Sequence, residues 1–93
     1  MSSYKRVEII ANHSVEQDIM DGLEIHGLAQ HRTKIPNVHG QGYTDPKQGD
    51  HIWPEENFIL IVYCDAEEAA AIEAVVKSVK ERFPQEGLRF FVL

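Results

Sequence analysis

Features that define several large classes of protein are scarce or absent in this 93-residue sequence. A single cysteine cannot form an internal disulfide, which excludes a disulfide-stabilised secreted scaffold. The longest apolar run is Phe58–Cys64, far short of the roughly 20 residues that cross a bilayer as a helix. Nine basic residues against fifteen acidic ones give a net charge of −6, which disfavours nucleic-acid binding. No apolar stretch follows the basic pair near the start, so we expect no signal peptide and a cytoplasmic location.

What remains is an ordinary globular composition, with 43% hydrophobic and 26% charged residues. The length predicts one domain spanning residues 1–93. A domain this small buries a modest fraction of its surface and often gains stability from a partner.

Hydrophobic periodicity predicts six elements in the order β-α-β-β-α-β. The strands are expected at Tyr4–Asn12, Ala29–Ile35, Asn57–Cys64 and Leu88–Leu93. A capping box at Ser14 to Gln17 predicts the start of the first helix, and Pro36 is expected to end the second strand. Asp65 is the expected cap of the second helix, whose apolar stripe runs through Ala69, Ile72, Val76, Val79 and Phe83.

This order predicts the α+β ferredoxin-like fold, a four-stranded antiparallel sheet with two helices on one face. Right-handed crossovers place the first and third strands centrally and the other two at the edges. The third strand is apolar on both of its faces, with Ile59 and Ile61 alternating with Phe58 and Leu60. Since two helices cover only one face of the sheet, we expect the other face to pack against another subunit.

The segment 37–56 is the least regular part of the chain and is rich in Gly, Asp, Asn, Gln and His. Long loops inside short domains are uncommon and are usually functional or disordered. This segment begins with Val38-His-Gly-Gln-Gly42. Glycines let backbone N–H groups approach an anion closely, so the motif is compatible with an anion site.

Three segments together resemble the P-II signalling proteins and their P-II-like relatives. Val38-His-Gly-Gln-Gly42 is similar to the Val-x-Gly-x-Gly motif at the exit of the family's second strand. The opening strand at Lys5 and the C-terminal Glu86-Gly-Leu-Arg-Phe-Phe-Val92 resemble the family's first and last strands. The basic residue near Gly87 is Arg89, displaced by one position from the lysine of the family, so the sequence resembles a reduced, non-classical member.

The resemblance implies a homotrimer with a long T-loop at 37–56 and adenine nucleotides bound in clefts between subunits. By position, it implies that six residues contact the ligand: Val38, Gly40, Gln41, Gly42, Gly87 and Arg89. It further implies a regulatory protein, not an enzyme. Its effector, a nucleotide or small anion, would change how the loop engages a membrane transporter or a metabolic enzyme.

Histidines in the same segment support an alternative, a trimeric metal-binding protein similar to the CutA-type proteins. His39 and His51 could meet if the loop folds back, and Asp45 or Asp50 could add an oxygen ligand. Such a set suits a divalent transition metal such as zinc, copper or nickel. A small enzyme is a third class, although no nucleophile and base are recognisable, and Cys64 is expected to be a buried apolar residue.

Overall fold

The computed structural model describes residues 4–40 and 55–93, and it contains four strands and two α-helices. In chain order these are β1 (Lys5–Asn12), α1 (Glu16–Ile25), β2 (Arg32–Gly40), β3 (Glu55–Cys64), α2 (Ala66–Arg82) and β4 (Leu88–Val92). A short 3₁₀ turn, His13–Val15, connects β1 to α1.

The strands form one antiparallel sheet in the order β2-β3-β1-β4. The two central strands are therefore β1 and β3, as the crossover rule predicts. The ferredoxin-like α+β architecture is confirmed.

The core lies between α1, α2 and one face of the sheet. Alternate residues of the central strands are fully buried there: Val7, Ile9 and Ala11 on β1, and Phe58, Leu60 and Val62 on β3. Of the two apolar faces predicted for the third strand, the one with Phe58 and Leu60 therefore lies against the helices. The helices pack closely, since a Cβ at Gly22 of α1 would lie 2.6 Å from Cγ1 of Val75 in α2. Phe83 was expected in the helix stripe, but it follows the last turn of α2 and is exposed.

The predicted start of the first helix is wrong. Asn12, not Ser14, is the capping residue, and its side-chain oxygen accepts a hydrogen bond of 2.9 Å from the Ser14 amide. The chain first makes the 3₁₀ turn, and α1 begins only at Glu16. Gln17 donates to Asp21 one turn later, so it does not complete a capping box.

The predicted end of β2 at Pro36 is also wrong, because the strand continues to Gly40. The register with β3 shifts between Ile35 and Val38, which places Pro36 and Asn37 in a bulge. Since β2 is an edge strand and the bulge needs no ladder bond from the ring nitrogen, proline is tolerated there. Residues 37–40 and 55–56 of the predicted loop therefore lie in strands, and the rest of it lies outside the described residues.

Hydrogen bonds to the start of α2 fix the end of the sheet that lies opposite Gly40. We call it the α2 end. Asp65 caps this helix as predicted, accepting from the Glu68 amide at 2.7 Å. Glu68 accepts in turn from the buried amide of Ala29 at 2.9 Å, and Arg32 donates to the Ala29 carbonyl at 3.1 Å. Gly27, just after α1, adopts a left-handed conformation with φ of 63°. Ala29 is also left-handed, with φ of 54°, and its methyl group is fully buried.

Within the described ranges, no helix is long and apolar enough to cross a membrane.

Candidate functional site

A row of residues crosses all four strands at the end of the sheet from which the 41–54 segment leaves. Val38 pairs with Asn57 across β2 and β3, and Asn57 pairs with Asn12 across β3 and β1. The backbone amide of Asn12 donates a hydrogen bond of 2.9 Å to the carbonyl of Gly87, which lies just before β4. We call these four residues the loop-end row. Parts of the chain that are far apart in sequence, including Val38 and Gly87, thus meet at one sheet end.

Four of the six predicted ligand residues lie within the described chain. Val38 and Gly87 belong to the loop-end row, and Gly40 is the last residue of β2. Arg89 pairs with Ile10 in the sheet, close to this row. Gln41 and Gly42 lie outside the described residues, so their place in the site stays a prediction.

The strand alternation puts Arg89 and Asn57 on the sheet face that the helices do not cover. We call it the open face. Several large apolar and aromatic side chains lie on the open face: Ile10, Ile35, Ile59, Ile61, Tyr63 and Phe91. Tyr63 is 59% exposed and Phe91 43%, whereas a solvated sheet face is normally polar. The expectation that this face needs a covering partner is therefore consistent with the side chains it presents.

The open face carries two arginines in different situations. Arg6 places Nε 2.8 Å from a Glu8 carboxylate oxygen, donates to the Tyr63 hydroxyl at 3.2 Å and stacks over its ring. Arg89 is exposed and, within the described chain, lies within 4 Å of no carboxylate. Beside the loop-end row, Arg89 is thus the cation best placed to meet an anionic ligand.

Asn57 is the one buried polar residue in the described part of the chain, with 8% of its surface exposed. Its Oδ1 atom is inaccessible and receives no hydrogen bond from the described residues. Sequence reasoning placed Asn57 at the start of a strand and gave it no role. An asparagine beside a run of apolar strand residues was the available signal.

A polar cluster next to the β2 bulge was also missed. His13 Nδ1 lies 2.8 Å from Glu16 Oε1, and His13 Nε2 lies 3.2 Å from Asn37 Oδ1. Lys34 binds the other oxygen of Glu16. The cluster therefore ties the start of α1 to β2 at the bulge, one residue before Val38. His13 and Lys34 are far apart in sequence, and only the fold brings them together.

Both acid–base groups in this cluster have shifted pKa values. The hydrogen bond to Glu16 raises the pKa of His13 above its usual 6.5, partial burial opposes this, and the contact with Asn37 adds to the increase. For Glu16, burial alone would raise the pKa, but hydrogen bonds from Lys34 and His13 and their positive charges outweigh it and lower the pKa. Each group thus favours its charged form.

The predicted metal ligands are mostly outside the described chain. His39 is exposed on β2 and pairs with Glu56 of β3. His51, Asp45 and Asp50 lie outside the described residues. No three His, Cys, Asp or Glu side chains come together as a metal site within residues 4–40 and 55–93. The metal hypothesis therefore stays a prediction.

Cys64 is buried, as expected for an apolar strand residue. Burial raises the pKa of its thiol, and the carboxylates of Glu68 and Asp65 raise it further. A thiol in this environment is a poor nucleophile at neutral pH.

Comparisons with known proteins identify the class of fold. No family model matches the chain, and no curated protein matches it by sequence. Solved structures do match. CPII from Thiomonas intermedia K12, a structure with bound ADP and bicarbonate, is 20% identical with a TM-score of 0.70, over 97% of this chain and 83% of that one. A PII-like signalling protein of Thermus thermophilus is 23% identical with a TM-score of 0.66, over 97% and 84%.

A DUF3240-family protein of Shewanella baltica OS155 is 17% identical with a TM-score of 0.72, and the match covers all of this chain and 90% of that one. The first two neighbours are PII-like proteins, and the chain has their ferredoxin-like fold over nearly its whole length. This agrees with the resemblance carried by the Val38–Gly42 motif.

Proposed function

We propose that this protein is a PII-like sensor, not an enzyme, that binds an adenine nucleotide, with or without a small anion such as bicarbonate, at its loop-end row. The observation that carries the proposal is the convergence of Val38 and Gly87 in one row of the sheet. These residues come from the two motifs that resemble the family's ligand-binding segments. The same fold holds ADP and bicarbonate in CPII.

The chemistry of the described residues supports an anionic ligand. The chain is acidic overall, with net charge −6, so an arginine near Gly87 that pairs with no carboxylate of the described residues stands out. Arg89 offers a planar set of donors that suits a phosphate or a carboxylate-shaped anion such as bicarbonate. Gly87 leaves room for a ligand to approach the backbone.

The apolar open face supports assembly into a homotrimer in which the site lies between subunits. Isoleucine side chains from three strands and two exposed aromatic residues form one surface there. Burying them against other copies of the chain removes apolar area from water, at about 25 cal/mol per Å². The Arg6–Glu8 pair would be enclosed with them and would fix the register of the subunits.

Control of a partner would follow from the position of the site. The 41–54 segment leaves the sheet between Gly40 and Glu55, next to the loop-end row. A ligand that binds one arrangement of this segment more tightly would shift the population towards it. A transporter or enzyme that recognises that arrangement would then respond to the ligand. The partner is expected to be a protein, and we expect no nucleic-acid binding.

Calorimetry tests the ligand and light scattering tests the assembly. We expect purified protein to bind ADP and to have a mass about three times that of the 10.6 kDa chain. Arg89→Ala should weaken ADP binding about tenfold, since a charge-assisted hydrogen bond contributes about 1.5–3 kcal/mol. Arg82→Ala, which removes an exposed arginine of α2, is the matched control and should bind as the wild type does. A monomer that binds neither ADP nor bicarbonate would contradict the proposal.

A further inference from the structure

The side chain of Asn57 is buried although its oxygen has no hydrogen-bond donor in the described part of the chain. The strand alternation places it on the open face, between Val38 and Asn12. Asn12 differs, because its side-chain oxygen accepts from the Ser14 amide. Asn57 therefore has an unused acceptor, enclosed in the free protein, in the middle of the loop-end row.

An unused buried acceptor is unfavourable for the free protein, and most buried polar atoms in native proteins do have a partner. The neighbouring open-face residues on β3, Ile59 and Ile61, show that this strand accommodates apolar side chains. Packing alone would therefore favour an apolar residue at position 57. The amide is explained if a donor arrives from outside the described fold.

We propose that Asn57 recognises a hydrogen-bond donor on the effector, an inference that rests on the proposed function. The Asn57 oxygen, enclosed in the free protein, becomes accessible as the ligand binds and accepts from an N–H or O–H group of the bound molecule. Fully ionised phosphate oxygens only accept, so they cannot fill this role. The donor belongs to the amino or hydroxyl groups of a nucleoside, or to the hydroxyl of bicarbonate. Asn57 thus accepts a hydrogen bond from the donor-bearing group of the ligand, and Arg89, nearby on the same face, binds its anionic group.

The variant Asn57→Leu separates this role from a structural one. Leucine is similar in size and lacks the unused oxygen, so we expect the free variant to unfold at the same urea concentration as the wild type or at a higher one. Its affinity for ADP or bicarbonate, measured by calorimetry, should fall about tenfold or more. Ser78→Ala is the control. It removes a hydroxyl from the exposed surface of α2, away from the open face and the row, and ligand affinity should not change.

Ligand analogues identify the donor. The wild type should bind 2′-deoxy-ADP, or the diphosphate of purine riboside, more weakly than ADP if the missing group pairs with Asn57. Asn57→Leu should not distinguish that analogue from ADP, because the interaction is already lost. If bicarbonate carries the donor, both nucleotide analogues bind like ADP and the loss in the variant appears in bicarbonate affinity.

The outcomes separate the two proposals. Equal ligand affinity in Asn57→Leu and wild type overturns the role of Asn57 and leaves the sensor intact. A free variant that unfolds at clearly lower urea concentration also overturns it, because the amide then has a structural partner. A wild type that binds neither ADP nor bicarbonate overturns the sensor and this inference together.

Discussion

The two ends of the sheet differ in how completely their polar groups are used. At the α2 end, the Ala29 amide binds Glu68, the Ala29 carbonyl binds Arg32, and Asp65 caps α2. The buried Arg6 Nε atom at this end makes no aligned hydrogen bond, but it lies 2.8 Å from a Glu8 carboxylate oxygen. At the loop end, the described chain leaves the Asn57 oxygen without a donor and Arg89 without a carboxylate.

The contrast separates residues that hold the fold from residues that are available to a ligand. Internal hydrogen bonds stabilise the α2 end, and a substitution there should lower the free energy of unfolding. The two unused groups at the loop end, on Asn57 and Arg89, contribute little to folding, and substituting either residue should mainly change binding. The predictions below test this division.

The largest effect on stability is expected for Ala29→Val. Ala29 is left-handed and its methyl group is fully buried, so a β-branched side chain would be strained and overpacked. We expect urea denaturation to show a loss of about 2–4 kcal/mol in unfolding free energy. Ala70→Val, on the exposed face of α2, should cost less than about 1 kcal/mol. Equal losses for the two variants would show that the Ala29 turn is not constrained.

Glu68→Ala should have the next largest effect. It leaves the Ala29 amide without its acceptor, which costs about 1–3 kcal/mol for a buried donor. Glu67→Ala, at the exposed neighbouring position of α2, is the control and should change the unfolding free energy by less than about 0.5 kcal/mol. If both variants unfold alike, the hydrogen bond from Ala29 does not stabilise this end.

The His13 cluster makes stability depend on pH. The pKa of His13 is raised in the folded protein, so its contribution is complete below pH 6.5 and is lost as pH rises through the folded pKa. The pKa of Glu16 is lowered, so its contribution is complete above pH 4.5 and is lost as pH falls through the folded pKa. Wild type and His13→Ala should therefore differ in unfolding free energy more at about pH 5.5 than at about pH 8.

The same cluster can be checked group by group. NMR titration of the His13 ring should give a pKa above 6.5 in the wild type and a lower value in Glu16→Gln, which removes the carboxylate. In the Glu16→Gln background, His13→Ala should have little pH-dependent effect on stability. A His13 pKa that is the same in the wild type and Glu16→Gln would contradict the coupling.

Arg89→Ala should have the smallest effect on stability. Because the guanidinium makes no ion pair in the described chain, the unfolding free energy should change by no more than about 0.5 kcal/mol. A large loss of stability would place Arg89 with the residues that hold the fold and would weaken the contrast between the two ends.

The sequence predicted much of the fold because local and global signals agree there. Alternating burial on β1 and β3 and the Asp65 cap both follow from short-range patterns. Ser14 was misleading, because a 3₁₀ turn capped by Asn12 precedes α1. Pro36 was also misleading, because a bulge on an edge strand removes the need for its missing N–H.

The site was predictable only in part. Motifs pointed to Val38, Gly40 and Gly87, but nothing local indicated that Asn57 and Asn12 complete the row between them. Strand register sets that arrangement, and register depends on the whole sheet. The cluster of His13, Glu16 and Lys34 is likewise formed by residues that meet only after β2 docks beside α1.

NMR shift mapping with ADP and bicarbonate tests the central claim most directly. Amide signals of the isotopically labelled protein report both ends of the sheet in one titration. The account predicts saturable shifts concentrated at Val38, Asn57, Asn12 and Gly87, with the signals of Gly27 to Arg32 unchanged. Shifts centred on the α2 end or on the contact between Gly22 and Val75, or no shifts at millimolar ligand, would contradict it.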